Sequence, residues 1–421
     1  MGMSFGSTAL LVAAAITAAV GDTAAAGEWP QILGPARNGI AAADERLADA
    51  WPAGGPPVVW RREVGSGYAG VVVADGRGVL FHRVADREVV EAFDPATGKT
   101  LWTDGHPTTF RPQVGGGDGP LCTPLIVGDR VITFGAQGVL SCHAVATGAL
   151  GWRRDTHRDF NAPEGYFGTG STPIVVGDVV VVNVGGSKQE AGVVGFALDS
   201  GETRWQMSSE PASYSAPVQV DLDGEPHVVM ITRYQCLLLE PRTGSVRWRF
   251  PFGMRGPTVN AALPVIRREA AGGDALLVTA AYGIGSVEGT FTRKAFAPRW
   301  QGVDALASQY CTPLAIGPHV YGIDGRDDVP PTALTCVEAA TGRVLWTERN
   351  FGYGTLLCAD GKLLAVKTDG ELVLMRASPD GMTALARHRP LPGTLRALPA
   401  LAAGRLYVRD ESTLACLQLG R

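Results

Sequence analysis

The chain has 421 residues, including 55 glycines and 28 prolines, and only 19% of its residues are charged. This length exceeds one ordinary compact core but suits a repeat architecture, and the composition favours many short strands with tight turns over long helices. The formal net charge of −4, without a basic tail or a lysine-rich run, argues against nucleic acid as a partner.

The N-terminus carries the features of an export signal. Residues 9–20 read ALLVAAAITAAV, which is too short to cross a bilayer as a helix, and small residues follow up to Ala26. We therefore expect residues 1–26 to be a secretory signal peptide, and the protein to be periplasmic or extracellular with no transmembrane segment. The segment MGMSFGS lacks Lys and Arg, so a disordered apolar N-terminus on a cytosolic protein is the alternative. An N-terminal extension, residues 27–57, is expected to precede the repeats of residues 58–421.

A turn followed by a tryptophan recurs along the chain. The first clear copy is DPATGKTLW, residues 94–102. Later copies are VATGALGW ending at Trp152, DSGETRW at Trp205, PRTGSVRW at Trp248 and AATGRVLW at Trp346, with a weaker echo, KAFAPRW, at Trp300. The glycine suits the left-handed position of a turn, and the large, half-polar tryptophan suits the seam between two sheets.

Each repeat contains four short strands. TPLIVGDRVITF, residues 123–134, predicts two β-branched strands joined by a hairpin turn, as does TPIVVGDVVVVN, residues 172–183. A third strand such as GVVGFALD, residues 192–199, precedes the turn and the strand that carries the tryptophan. We expect structural blade anchors at Trp60, Trp102, Trp152, Trp205, Trp248, Trp300 and Trp346, with spacings of 42, 50, 53, 43, 52 and 46 residues. Four-stranded units of this length are typical of propeller blades.

The two ends of the chain complement each other. Two further units, residues 356–375 and 397–417, lack the tryptophan, and the last one stops after three strands. PPVVWRREV, residues 56–64, is a fourth strand without a preceding three. We therefore predict an all-β, eight-bladed propeller in which Val58–Arg62 pairs with Leu414–Leu417 and closes the ring. Deleting residues 56–64 is expected to destabilise the protein far more than deleting residues 28–40.

The repeated D-x-x-T-G-x-x-x-W pattern resembles that of the quinoprotein-like, or PQQ-like, β-propellers. Within them the chain is most similar to the non-enzymatic branch related to the outer-membrane assembly factor BamB, and EWPQILGPARNGI, residues 28–40, resembles the lead-in of exported proteins of that branch. The resemblance implies an exported, non-catalytic scaffold or binding protein. The alternatives are a PQQ-dependent dehydrogenase and a BamB-like assembly factor, because one fold hosts many functions.

The resemblance to the quinone enzymes implies pyrroloquinoline quinone with Ca²⁺, and in the alcohol dehydrogenases a disulfide between adjacent cysteines. This sequence has no adjacent cysteine pair and no long insertion in a blade, so we predict no cofactor. Asp324, Asp327, Asp328 and Asp369 are carboxylates that could be drawn as Ca²⁺ ligands, but solvated turns explain them better.

No catalytic residue or metal site is predicted from the remaining motifs. The odd number of cysteines without a C-x-x-C pair favours buried free thiols, although Cys122 with Cys142, or Cys311 with Cys336, could pair in an oxidising compartment. His82, His143 and His157 are expected to be ordinary strand or loop residues.

Recognition is expected on the face that carries the long loops, such as residues 104–120 and 153–170. One of these loops contains His157, Phe160, Tyr166 and Phe167. A cation also follows the second strand of several blades: Arg83 beside His82, Arg233, Lys367 and Arg409. We expect these cations near the central axis, where Asp369, Asp410 and Glu411 neutralise them or a small anionic ligand or acidic protein partner docks. The protein is expected to be a monomer.

Overall fold

The computed structural model describes residues 27–256, 258–270 and 272–420. The predicted signal peptide, residues 1–26, lies outside them. Within the described residues the chain forms eight sheets of four antiparallel strands. The eight-bladed, all-β propeller predicted from the repeats is therefore confirmed. In the same part of the chain, no helix is both long and apolar enough to cross a bilayer.

Seven blades are built from four consecutive strands each. Blades one to four are β2–β5 (Val72–Ala74, Arg77–Val84, Arg87–Phe93, Thr100–Pro107), β6–β9 (Leu125–Val127, Arg130–Phe134, Val139–Ala144, Leu150–Asp155), β10–β13 (Ile174–Val176, Val179–Gly186, Ala191–Ala197, Thr203–Met207) and β14–β17 (Val218–Leu222, Glu225–Ile231, Gln235–Leu239, Val246–Pro251). Blades five to seven are β18–β21 (Val265–Arg268, Asp274–Ala280, Gly285–Phe291, Phe296–Gly302), β22–β25 (Leu314–Ile316, His319–Arg326, Val329–Glu338, Arg343–Glu348) and β26–β29 (Gly354–Ala359, Lys362–Lys367, Leu372–Arg376, Thr383–His388). One short helix, α1 (Thr156–Phe160), and a 3-10 turn, Ser187–Gln189, lie in loops.

The eighth blade joins the two ends of the propeller. It contains β30 (Ala400–Ala402), β31 (Arg405–Arg409) and β32 (Thr413–Gln418), and β1 (Val58–Glu63) supplies its fourth strand. The register places Val58 opposite Leu417 and Arg62 opposite Leu414. This confirms the predicted closure, which leaves no unpaired edge between the first and last blades.

The tryptophans attach each blade to the next one. In each of the seven cases the indole N–H donates to a backbone carbonyl of the following blade at 2.9–3.0 Å: Trp60 to Pro95, Trp102 to Val145, Trp152 to Leu198, Trp205 to Pro241, Trp248 to Thr292, Trp300 to Ala339 and Trp346 to Ser378. Trp152 and Trp248 are buried, and the other five are half-buried. The ring also covers the turn glycine of the next blade, since a Cβ on Gly148 would lie 2.5 Å from the Trp102 ring. Tryptophan and glycine thus form one contact across five of these seams, at Gly98, Gly148, Gly201, Gly244 and Gly342.

The N-terminal extension closes one end of the central channel. Residues 29–48, here called the plug, run beneath the first strands: Trp29 pairs with Val73 of blade one, and Gly39 and Ala41 exchange hydrogen bonds with Cys358 of blade seven. Arg37 is 2% exposed. From the sequence, deleting residues 28–40 was expected to cost far less stability than deleting residues 56–64. The plug is buried and contacts several blades, so we no longer expect a large difference in stability between these two deletions.

All seven cysteines lie in the described residues, and all are buried free thiols. Neither of the pairings left open by the sequence is formed. Burial raises the pKa of these thiols, to about 11 for Cys142 and Cys336. They behave as small apolar side chains in the blade cores.

Candidate binding cavity on the channel axis

A cavity of about 1170 Å³ occupies the axis on the side of the molecule opposite the plug. Its walls are the segments that lead from the fourth strand of one blade to the first strand of the next, together with hairpins between second and third strands. All first strands run in the same direction along the axis. Residues early in each connecting segment, such as Val114, Tyr166 and Met254, therefore lie at the mouth, and residues close to the first strand lie deeper.

One position of the repeat contributes to the lining in seven of the eight blades. It is the fourth residue before the first strand: Tyr68, Leu121, Gly170, Tyr214, Ala261, Tyr310 and Arg396 in seven of the blades. In six of them it is also the third residue before a proline, as in LCTP at 121–124 and YCTP at 310–313. The sequence analysis missed this lining, although the x-x-x-P pattern that precedes the first strand would have located it.

The bottom of the cavity is apolar. Ile32 and Leu33 of the plug are 5% and 3% exposed and line the cavity from below. Leu263 and Leu398, each two residues before a first strand, line it from the ends of the connecting segments. These side chains make a floor of aliphatic carbon beneath walls that carry tyrosines and arginines.

Three arginines reach the cavity, and two of them are neutralised. Arg326 donates to Asp328, with 3.0 Å between Nε and Oδ1, and Arg396 donates to Asp327 at 2.7 Å. Arg233 instead donates to the Thr258 hydroxyl at 2.8 Å and the Gly256 carbonyl at 2.6 Å. Within the described residues, no carboxylate lies within ion-pair distance of Arg233. The cavity therefore contains one uncompensated guanidinium.

Three tyrosines of the cavity are held in the neutral form near pH 7. Burial raises the pKa of Tyr214, Tyr282 and Tyr310 above the ordinary value of a phenol. They offer rings and hydroxyl groups but no charge that could offset Arg233. The Arg326 guanidinium lies over the Tyr282 ring, with 4.4 Å to the centroid.

Three of the four cations expected at the mouth are used elsewhere. Arg83 is 3% exposed and donates to the carbonyls of Ala85, Phe110 and Asp118 at 2.8–2.9 Å. Arg409 is 1% exposed and donates to the carbonyls of Gly65 and Asp410. Neither residue nor Lys367 lines the cavity, and only Arg233 does. Backbone carbonyls and carboxylates within the blades therefore hold three of the four cations, and the cavity contains only one of them.

Local partners explain two of the remaining polar positions. Lys367 lies 2.7 Å from Glu371 and 3.4 Å from Asp369, so the acidic neighbour named from the sequence does contribute. His82 accepts a hydrogen bond from the Gly65 N–H at 2.8 Å through Nδ1. Burial lowers the pKa of His82 to about 4, although nearby Glu91 opposes this shift.

The four candidate recognition residues separate into two pairs. His157 and Phe160 belong to α1 and are buried, with Phe160 packed edge-on against Phe196 at 6.0 Å. Their predicted recognition role is corrected, because the helix turns both side chains into the core. Tyr166 and Phe167 line the cavity, and Tyr166 is 52% exposed. They lie at the mouth beside Tyr214.

The sequence matches the family described as outer membrane protein assembly factor BamB over residues 85–348. The chain belongs to this family. No curated protein sequence matches it significantly. Its fold is similar to that of BamB from Moraxella catarrhalis, with 15% identity and a TM-score of 0.62 over 86% of this chain and 97% of that one. It is also similar to quinohemoprotein alcohol dehydrogenase from Comamonas testosteroni, with 15% identity and a TM-score of 0.66 over 94% and 81% of the two chains. At these identities the likeness shows the PQQ-like fold alone.

The cavity of this BamB-family propeller does not offer the donors that a quinone with Ca²⁺ requires. Asp328 is the one carboxylate in its lining, and Arg326 already neutralises it. Of the other carboxylates considered from the sequence, Asp324 accepts from the Ala307 N–H at 2.7 Å and Asp327 accepts from Arg396. Asp369 lies 3.4 Å from Lys367. In the described part of the chain, no group of three or more His, Cys, Asp or Glu side chains is placed to hold a metal.

Proposed function

We propose that this protein is an exported, non-catalytic binding protein of the cell envelope that holds a protein partner on the face around the cavity mouth. The description of its family as an outer membrane protein assembly factor supports this role. The apolar segment at residues 9–20 supports export, and the ring closure within one chain is compatible with a monomer.

The distribution of exposed apolar side chains carries the proposal. Of the eleven large ones in the described residues, six lie in loops or hairpins on the mouth side of the propeller: Val84, Val114, Tyr166, Met254, Val303 and Val329. The other five lie on outer, fourth strands: Val58, Val59, Leu101, Leu150 and Val344. Exposed apolar side chains gathered on one face are typical of an interaction surface. Three of the six at the mouth, Val114, Tyr166 and Met254, also line the cavity, whereas the five on outer strands lie near the starts of those strands, at the periphery of four different blades.

The assembly-factor role is the narrower form of this proposal, and it names a partner to test. The experiment compares how much of the outer-membrane assembly machinery co-purifies with two triple variants. Val114, Tyr166 and Met254 are changed to serine in the first variant, and Leu101, Leu150 and Val344 in the second. We expect recovery of the machinery to fall only for the first variant, with both variants melting like the unmodified protein. Equal recovery in all three proteins argues against docking at the mouth.

A quinone-dependent dehydrogenase is the second candidate, because the fold is similar to that of a quinohemoprotein alcohol dehydrogenase over 94% of this chain. The absorbance spectrum of the purified protein with added quinone and Ca²⁺ separates the two functions. A tight, stoichiometric quinone signal replaces the binding-protein proposal, whereas a spectrum of free quinone supports it.

A further inference from the structure

We infer that the axial cavity binds a small amphiphile with one acidic head, which enters with its apolar tail first. This goes beyond partner docking, because it assigns a ligand class to the interior of the propeller. The ligand contains a single carboxylate or phosphate ester and one long hydrocarbon chain. Three features of the cavity lead to it: its charge, the vertical order of its lining and its volume.

The uncompensated charge of the Arg233 guanidinium calls for one anionic group on the ligand. Arg233 uses two of its five N–H donors, for Thr258 and Gly256, and three remain for a ligand. Glu210, in the segment between β13 and β14, binds this hairpin, but it already accepts from the Thr232 hydroxyl, the Tyr234 N–H and the Gln235 amide. Arg326 and Arg396 have their own aspartates. One anionic head therefore balances the site, whereas a polyanion would lack donors.

The order of charged and apolar side chains from the mouth to the floor of the cavity determines which end of the ligand enters first. Arg233 follows β15 in the hairpin between the second and third strands of blade four, on the mouth side. Ile32 and Leu33 of the plug lie at the opposite end, together with Leu263. An anion at Arg233 stays near water, and a hydrocarbon chain extending from it reaches the aliphatic floor. Burying that chain supplies most of the affinity, at roughly fourfold for each methylene.

The volume fits an elongated ligand. A cavity of about 1170 Å³ exceeds the roughly 300–1,000 Å³ that is usual for a small-molecule site. Tyr68, Tyr214 and Tyr310 line the wall between head and floor and present neutral rings to a chain. A short hydrophilic anion would leave the leucines of the floor in contact with water. The geometry therefore favours a long tail over a compact metabolite.

The direct test measures binding of hexadecanoate to the purified protein by equilibrium dialysis, below the concentration at which hexadecanoate forms micelles. We expect one saturable site per chain and affinities that increase from butanoate through octanoate to hexadecanoate. Hexadecanol, which keeps the tail and lacks the charge, should bind about 10- to 100-fold more weakly, as expected for loss of a charge-assisted hydrogen bond. Hexadecyl phosphate is measured beside the acid, and the tighter of the two identifies the head.

Two variants locate the site. Arg233→Gln should weaken hexadecanoate by about 10- to 100-fold and leave hexadecanol unchanged. Arg247→Gln is the matched control, because it removes one exposed arginine from the outer strand of the same blade. Leu398→Trp, two residues before β30, should fill part of the floor and weaken hexadecanoate more than octanoate, and melting curves exclude variants that fail to fold.

Several results overturn the inference. They are equal affinity of Arg233→Gln and the unmodified protein for hexadecanoate, equal affinity for the acid and the alcohol, absence of any dependence on chain length, and no saturable binding. Tighter binding of an acidic hexapeptide than of hexadecanoate also overturns it, since this assigns the cavity to a protein segment. Because these assays need no partner, the amphiphile site and partner docking fail or succeed separately.

Discussion

The contact between Trp152 and Gly201 tests how the blades are attached to one another. Trp152 is 8% exposed, and its indole N–H donates to the Leu198 carbonyl at 2.9 Å. Gly201 has a φ of 71°, and a Cβ built on it would lie 2.6 Å from the Trp152 ring. Changing both residues to alanine, singly and together, forms a double-mutant cycle that isolates this contact.

The structure sets the expected magnitudes. Gly201→Ala combines a left-handed backbone, about 1–2 kcal/mol, with overpacking against the ring, about 1–3 kcal/mol. Trp152→Ala should lower the free energy of unfolding by about 3–5 kcal/mol. When the ring is absent, Gly201→Ala keeps only its backbone part. The coupling energy between the two sites is then about 1–3 kcal/mol.

The assay is urea unfolding followed by circular dichroism, because removing a tryptophan changes the fluorescence signal. Gly177→Ala in the same blade is the control, since Gly177 has a φ of 60° and no atom within 4 Å of its added Cβ. It should show the backbone part alone. If Gly201→Ala loses as much stability without the ring as with it, or no more than Gly177→Ala, the glycine is not there to receive the tryptophan.

Three further predictions concern closure, pH and the plug. Deleting residues 56–64 removes β1 and exposes β32, so the melting temperature should fall by many degrees, and an unchanged melting curve contradicts closure. The pKa of His82 is about 4 in the folded protein and near 6.5 in the unfolded chain, so the neutral form stabilises the fold. The contribution of neutral His82 to the free energy of unfolding is complete above pH 6.5 and is lost as the pH falls towards 4. Urea unfolding from pH 4 to 7 should therefore show a flatter pH dependence of stability for His82→Gln than for the unmodified protein. Arg37 donates to the Pro173 and Pro217 carbonyls, so Arg37→Met should destabilise by several kcal/mol in the same unfolding assay, as loss of two buried hydrogen bonds does. Arg46→Met in the same segment, at an exposed side chain, should change stability by less than about 0.5 kcal/mol, and equal effects of the two refute the anchoring role of Arg37.

Much of the fold was accessible from the sequence because its signals are local. The turn glycine, the alternation of β-branched residues and the tryptophan that follows each turn depend on neighbours within one strand or hairpin. Their recurrence gave the number of blades, and the unmatched fourth strand at residues 56–64 gave the closure. Each repeat buries its faces only against its neighbours, so the period of the sequence determines the architecture.

The cavity was less accessible, because its residues are defined by direction around an axis. The sequence placed four cations there, but Arg83 and Arg409 turn into the blades to meet carbonyls, whereas Arg396 reaches the cavity from a connecting segment. Distances along the chain do not reveal such choices: Arg37 is bound to the carbonyl of a residue 180 positions away. Tertiary structure decided which charges remain uncompensated, since a buried cation takes whatever acceptors the assembled blades bring to it.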